Sequence, residues 1–101
     1  MAPTSITVLY PQGIQFDMDY YKSTHMPLAQ EKWEKFGMKS WKVLKVKEGS
    51  PYIVQTILEF GSAEEWAAAA ESQEGKDVLG DIKNYTNAEP ILLVGEMNFS
   101  S

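Results

Sequence analysis

Alternation of apolar and polar residues opens the chain. Ile6, Val8 and Tyr10 fall on one side of an extended backbone, and Ser5, Thr7 and Leu9 on the other. That period of two predicts a strand over Thr4 to Tyr10, stopped by Pro11-Gln12-Gly13. The period then changes. Met18, Tyr21, His25, Leu28, Ala29 and Phe36 recur at helical spacing, behind Asp17 as an N-cap and Asp19 in the first turn. Pro27 has no N–H to give, so a break or kink is predicted there, with a short helix before it and a longer one from Met26 to Phe36. Gly37 suits a C-cap.

Strand character returns over Met38 to Lys47 and over Tyr52 to Phe60. The short turn Glu48-Gly49-Ser50-Pro51 joins them as an antiparallel hairpin. Ser62 and Glu65 form a capping-box pair ahead of a helix through Trp66 and the alanines at 67–70. Gln73-Glu74-Gly75 is read as an interruption, with one or two more helical turns from Lys76 to Ile82. Asn84-Tyr85-Thr86-Asn87 is a loop, and Ile91 to Phe99 the last strand. The order is βαββαβ in one domain spanning residues 1–101: an α+β fold of the ferredoxin-like type, with a four-stranded antiparallel sheet and both helices on one face.

Such helices cover only that face. Ile53 and Ile57 of the third strand, with an apolar side of the last strand, belong to the other. A second copy stacking sheet on sheet would cover them, making a homodimer. Alternatively, the partly apolar face lines a pocket within the monomer.

Charge narrows the partners. The net charge is −5, and all nine basic residues are lysines. Without arginine there is no bidentate fork for phosphate or guanine. The run Lys39, Lys42, Lys45, Lys47 ends at Glu48 and reads as a solvated strand edge, so no nucleic-acid partner is expected. No apolar run reaches membrane-spanning length, and no signal peptide is read, so no membrane partner is expected either. With no cysteine there is neither a disulfide nor a thiolate metal site, which fits a cytoplasmic location.

Candidate chemistry centres on His25, the only histidine. Its side chain is the one whose ordinary pKa permits proton exchange near neutral pH. It reads as a general acid or base, or else as a brace for the chain at Pro27. Tyr21, four residues earlier, shares its helical face. Asn84 is a candidate to bind a carbonyl oxygen and Tyr85 to donate a hydrogen bond, against ordinary turn chemistry as the alternative. Trp41 alternates with Val43, facing either the helices or a barrel interior, where it would be a pocket wall. A single histidine builds no histidine-rich metal site, and Asp17 and Asp19 are explained as helix-start residues, so no metal is expected. No glycine-rich phosphate loop, nucleotide fingerprint or flavin motif is present, so no organic cofactor is expected.

Two segments carry a family likeness: Phe16-Asp17-Met18-Asp19-Tyr20-Tyr21 with Thr24-His25-Met26-Pro27, and Asp81-Ile82 with Asn84-Tyr85-Thr86. Through them the chain resembles the EthD-like proteins of the dimeric α+β barrel superfamily. The resemblance implies a ferredoxin-like protomer and a homodimer whose sheets form a barrel. It favours a functional His25. Members of that fold include cofactor-free polyketide monooxygenases, lactone isomerases, and fungal dehydratases or decarboxylases; fold alone selects none of them. The expectation is a cofactor-independent enzyme acting by His25 proton transfer on a small hydrophobic, aromatic or polyketide-like carbonyl compound. The alternative is a non-catalytic binding module that supports a partner enzyme.

Overall fold

A computed structural model describes residues 3–12 and 15–100; Gly13, read above as part of the first turn, lies outside them. The elements are β1 (Thr4–Pro11), α1 (Met18–Tyr20), a π-helical turn (Tyr21–His25), α2 (Met26–Trp33), a 3₁₀ turn (Glu34–Phe36), β2 (Met38–Lys45), β3 (Tyr52–Phe60), α3 (Ala63–Glu71), α4 (Gln73–Gly80), a 3₁₀ turn (Ile82–Asn84) and β4 (Ile91–Glu96). The strands form one sheet in the order β2-β3-β1-β4, with antiparallel neighbours throughout. This is the ferredoxin-like fold.

Three expectations are corrected. The one at Pro27 holds: a short helix precedes the proline and a longer one begins at Met26, with a π turn between them. An α-helix would drive the proline ring into the carbonyl four residues back, and one extra residue in the turn relieves that contact. The second helix is interrupted at Ser72, not at Gln73-Glu74-Gly75. Ser72 is extended, caps Gly75 N–H at 2.9 Å, and donates to the Ala69 carbonyl at 2.6 Å. The strands are also shorter than read: β2 ends at Lys45, two residues before Lys47, and β4 ends at Glu96, three before Phe99.

Several local readings hold. Asp17 Oδ1 accepts from Tyr20 N–H at 3.0 Å, and Ser62 Oγ accepts from Glu65 N–H at 3.2 Å. Gly37 ends the 3₁₀ turn at φ +112°, a conformation in which a side chain is strained.

Alternate residues of β1 and β3 face the helices. Ile6, Val8, Tyr10, Val54, Thr56, Leu58 and Phe60 are buried there against Met26, Ala29, Trp33, Ala69 and Val78. Trp33, Phe60 and Trp66 pack edge to face at one end of this layer, with ring centroids 5.3–6.3 Å apart. β4 differs, because every one of its residues is exposed.

Candidate active site

The π turn sets the site. The Met26 N–H reaches the Tyr21 carbonyl five residues back. Within the widened turn Tyr21 and His25 still stack, with ring centroids 5.3 Å apart and planes inclined at 12°. Met26, the residue before Pro27, keeps right-handed helical angles (φ −67°, ψ −40°) although that position disfavours them. A π turn inside a helix is often found at functional sites.

His25 is buried, and its ring has a partner at each nitrogen. Nδ1 lies 2.9 Å from Asp81 Oδ2, and Nε2 lies 3.5 Å from the Tyr85 hydroxyl. Asp81, beyond the end of α4, also accepts at Oδ1 from Tyr20 O–H (2.7 Å) and Asn84 Nδ2–H (2.8 Å). Burial pushes the Asp81 pKa up, but hydrogen bonds from Asn84, Tyr20 and His25 outweigh it and hold the carboxyl below its ordinary value. An ionised carboxylate only accepts, so Nδ1 carries the imidazole proton and Nε2 presents a lone pair. Burial lowers the His25 pKa, opposed by the Asp81 hydrogen bond and charge. The imidazole is therefore neutral at pH 7, with Nε2 ready to take a proton.

Beyond His25 the hydroxyls form a chain. Tyr85 and Tyr10 share a 2.6 Å hydrogen bond, and Tyr21 and Thr56 share one of 2.5 Å. Burial raises the pKa of Tyr10, Tyr21 and Tyr85 far above the usual tyrosine range, so all three remain protonated donors. The Tyr10, Phe16, Tyr21, Tyr85 and His25 rings form one cluster, with centroids 4.6–5.9 Å apart. This polar end abuts a cavity of about 30 Å³ whose other walls include Val8, Met26, Trp33, Leu58 and Val78. Leu79, Ile82, Pro90 and Leu92 also line it and are among its less buried walls.

The candidates read from the sequence separate here. His25, Tyr21 and Tyr85 come together. Asn84 is exposed and holds Asp81 instead of reaching the cavity. Trp41 faces the helices, donates to Gln30 Oε1 at 2.9 Å, and lines another groove with Met18, Lys22 and Val43. Asp81, Tyr10, Tyr20 and Thr56 were not singled out for the site. Asp81 lies 56 residues from His25, and no local spacing links the two. Tyr10 had one legible signal, the inward phase of β1. Among the described residues no group of three or more His, Cys, Asp or Glu is placed to hold a metal ion.

Solved structures with this architecture include an EthD-like protein from Ralstonia eutropha JMP134. It is 30% identical, with a TM-score of 0.82, over 95% of this chain and 92% of that one. The chain belongs to the EthD-like family. An EthD family protein from Bacillus halodurans C-125 is 21% identical with a TM-score of 0.76, over 95% of this chain and 99% of its own. SnoaB, a cofactor-independent oxygenase from Streptomyces nogalater, is 6% identical with a TM-score of 0.69, over 100% of this chain and 96% of its own, a likeness of fold alone. No protein-family model and no curated protein sequence matches the chain. In this EthD-like chain, both segments that suggested the family meet at one point, through the His25–Asp81 and His25–Tyr85 contacts.

Proposed function

We propose that this EthD-like protein is a cofactor-independent enzyme that moves a proton on a small hydrophobic carbonyl compound, aromatic or polyketide-like. The observation that carries this reading is the buried chain Asp81–His25–Tyr85–Tyr10 at the polar end of an apolar cavity. Nε2 takes a proton from the carbon next to the carbonyl. The electron pair moves into an enolate, whose oxygen accepts from the Tyr10 hydroxyl, with Tyr85 hydrogen-bonded to Tyr10 behind it. Asp81 holds the ring and stabilises the imidazolium, which then returns the proton. Dehydration, isomerisation, decarboxylation and oxygenation of carbonyl compounds can all pass through such an enolate. Tyr21 is the wall behind the base, and Asn84 acts through Asp81.

The test is deuterium incorporation next to the carbonyl of 4-phenyl-2-butanone in D₂O. His25→Ala is expected to slow it by roughly 10²–10⁴-fold with circular dichroism unchanged. Equal rates in a folded His25→Ala variant would remove His25 from the mechanism. No incorporation by the wild-type protein above buffer would favour a binding or accessory module. The narrowness of the cavity supports that second reading.

The same reading includes a homodimer. Leu93 and Ile91 lie opposite Thr7 and Leu9 on the sheet face away from the helices, and they are 53% and 45% exposed. A second copy on that face would cover them. Sedimentation at micromolar concentration is expected to give a dimer, and Leu93→Lys a monomer. A monomeric wild-type chain that fails to associate at higher concentration would refute the pairing.

A further inference from the structure

The cavity beside His25 is too small for the molecule it is asked to hold. At about 30 Å³ it has room for a few atoms, whereas sites for small organic ligands span roughly 300–1,000 Å³. A second hollow lies directly outside it. This groove measures about 440 Å³ and is lined by Leu79, Ile82, Lys83, Asn87, Glu89 and Pro90, among others. Leu79, Ile82 and Pro90 line both spaces. They form an apolar collar between them, and Leu79 is left 39% exposed.

We propose that the cavity takes only the reacting head of the substrate, that its body threads the collar, and that the outer groove seats the tail. The argument rests on the proton-transfer reading for the role of His25, and on geometry for the rest. The inner end offers hydroxyl donors and the Nε2 lone pair, which suit a slim carbonyl head. The collar is apolar, which suits a hydrocarbon body. Lys83 and Glu89 give the groove one charge of each sign, so neither an anion nor a cation is favoured at the far end. The substrate class is an elongated, uncharged ketone or related carbonyl compound.

The collar is also tied to the base. Ile82 belongs to the 3₁₀ turn that separates Asp81 from Tyr85, the two hydrogen-bond partners of the His25 ring. That turn is closed by Asn84 N–H to the Asp81 carbonyl (3.0 Å) and Tyr85 N–H to the Ile82 carbonyl (3.1 Å). A body lodged against Ile82 presses on the segment that orients the imidazole. The groove beside Trp41 offers no comparable route. It meets the cavity only at Tyr21, whose ring is packed against Tyr10, Phe16, His25 and Tyr85 and whose hydroxyl is tied to Thr56.

Because His25 is the only histidine, its Hε1 proton gives a single assignable NMR signal. We would titrate the protein with acetone, which is head alone, and with 2-heptanone, which is head and tail. Both should shift that signal, and 2-heptanone should bind at least about tenfold more tightly through its extra buried carbons. Ile82→Trp and Leu79→Ser alter two residues of the collar, and each should weaken 2-heptanone by about tenfold while changing acetone less. Leu79→Ser changes an exposed residue and keeps the test decisive if Ile82→Trp misfolds. Lys22→Trp, which fills the groove beside Trp41, should change neither ketone. Equal affinity for the two ketones, collar variants that bind like wild type, a loss caused by Lys22→Trp, or no shift at all would each overturn the proposal. Turnover does not enter this readout. A protein that binds in this way but exchanges no deuterium would refute the proton-transfer reading and leave the groove assigned.

Discussion

Two aromatic clusters fill the space between sheet and helices, and they differ in what their edges carry. At one end Trp33, Phe60 and Trp66 meet edge to face, and the hydrogen bond found there runs from Trp33 Nε1–H to the Ala69 carbonyl at 3.2 Å. At the other end Tyr10, Tyr21, Tyr85 and His25 pack at similar distances, but each ring carries a polar atom with a side-chain partner. Ring packing is the same physics in both. The difference lies in the cost of the polar atoms. Each buried hydroxyl or imidazole nitrogen needs a partner, so the second cluster holds together only as a connected network. The first cluster secures the fold, and the second spends burial on fixing hydrogen-bond directions.

The contrast is sharpest if each cluster is cut separately. Phe60→Ala should destabilise the protein by about 3–5 kcal/mol in denaturant melts, the usual cost of emptying a buried aromatic site. It should leave the His25 NMR titration midpoint where it was, because Phe60 does not line the cavity. A shifted midpoint would mean that the clusters act as one unit. Asp81→Asn should cost less, about 1.5–3 kcal/mol, as expected for hydrogen bonds to a charged group. Its second effect has no counterpart in the first cluster. The Asp81 bond and charge raise the His25 pKa, so their loss should lower the titration midpoint further. An unchanged midpoint would separate Asp81 from the base.

The smallest expected effect concerns pH and again belongs to one end alone. His25 has a folded pKa below its ordinary 6.5, mainly through burial, so the folded chain binds fewer protons there than the unfolded one. Its contribution to stability is complete above about 6.5 and is lost as the pH falls through 6.5 toward the folded value. Asp81 adds a loss of the same sign lower down, below 3.8. Thermal melts of the wild-type protein at pH 7 and pH 5 should differ more than those of His25→Gln. Identical pH profiles for the two would show that His25 titrates as it does in the unfolded chain.

Period and punctuation in the sequence determined the strand and helix order, the hairpin, the Asp17, Ser62 and Gly37 caps, and hence the ferredoxin-like fold, because these are local properties of the backbone. They also drew attention to His25, Tyr21 and Tyr85 through residue chemistry and through the two family segments. The division of the first helix at Pro27 was legible, but the π turn that makes it was not, since such a turn depends on packing Tyr21 and His25 against the sheet rather than on propensity. Nor was the break at Ser72, where one hydroxyl serves two helices at once. Only the tertiary structure joined Asp81 to His25 across 56 residues, assigned Asn84 to the acid, and set Trp41 apart in a separate groove. The physical reason is that hydrogen-bond partners of a buried group are chosen by which surfaces the core brings together, and sequence spacing carries no record of that choice.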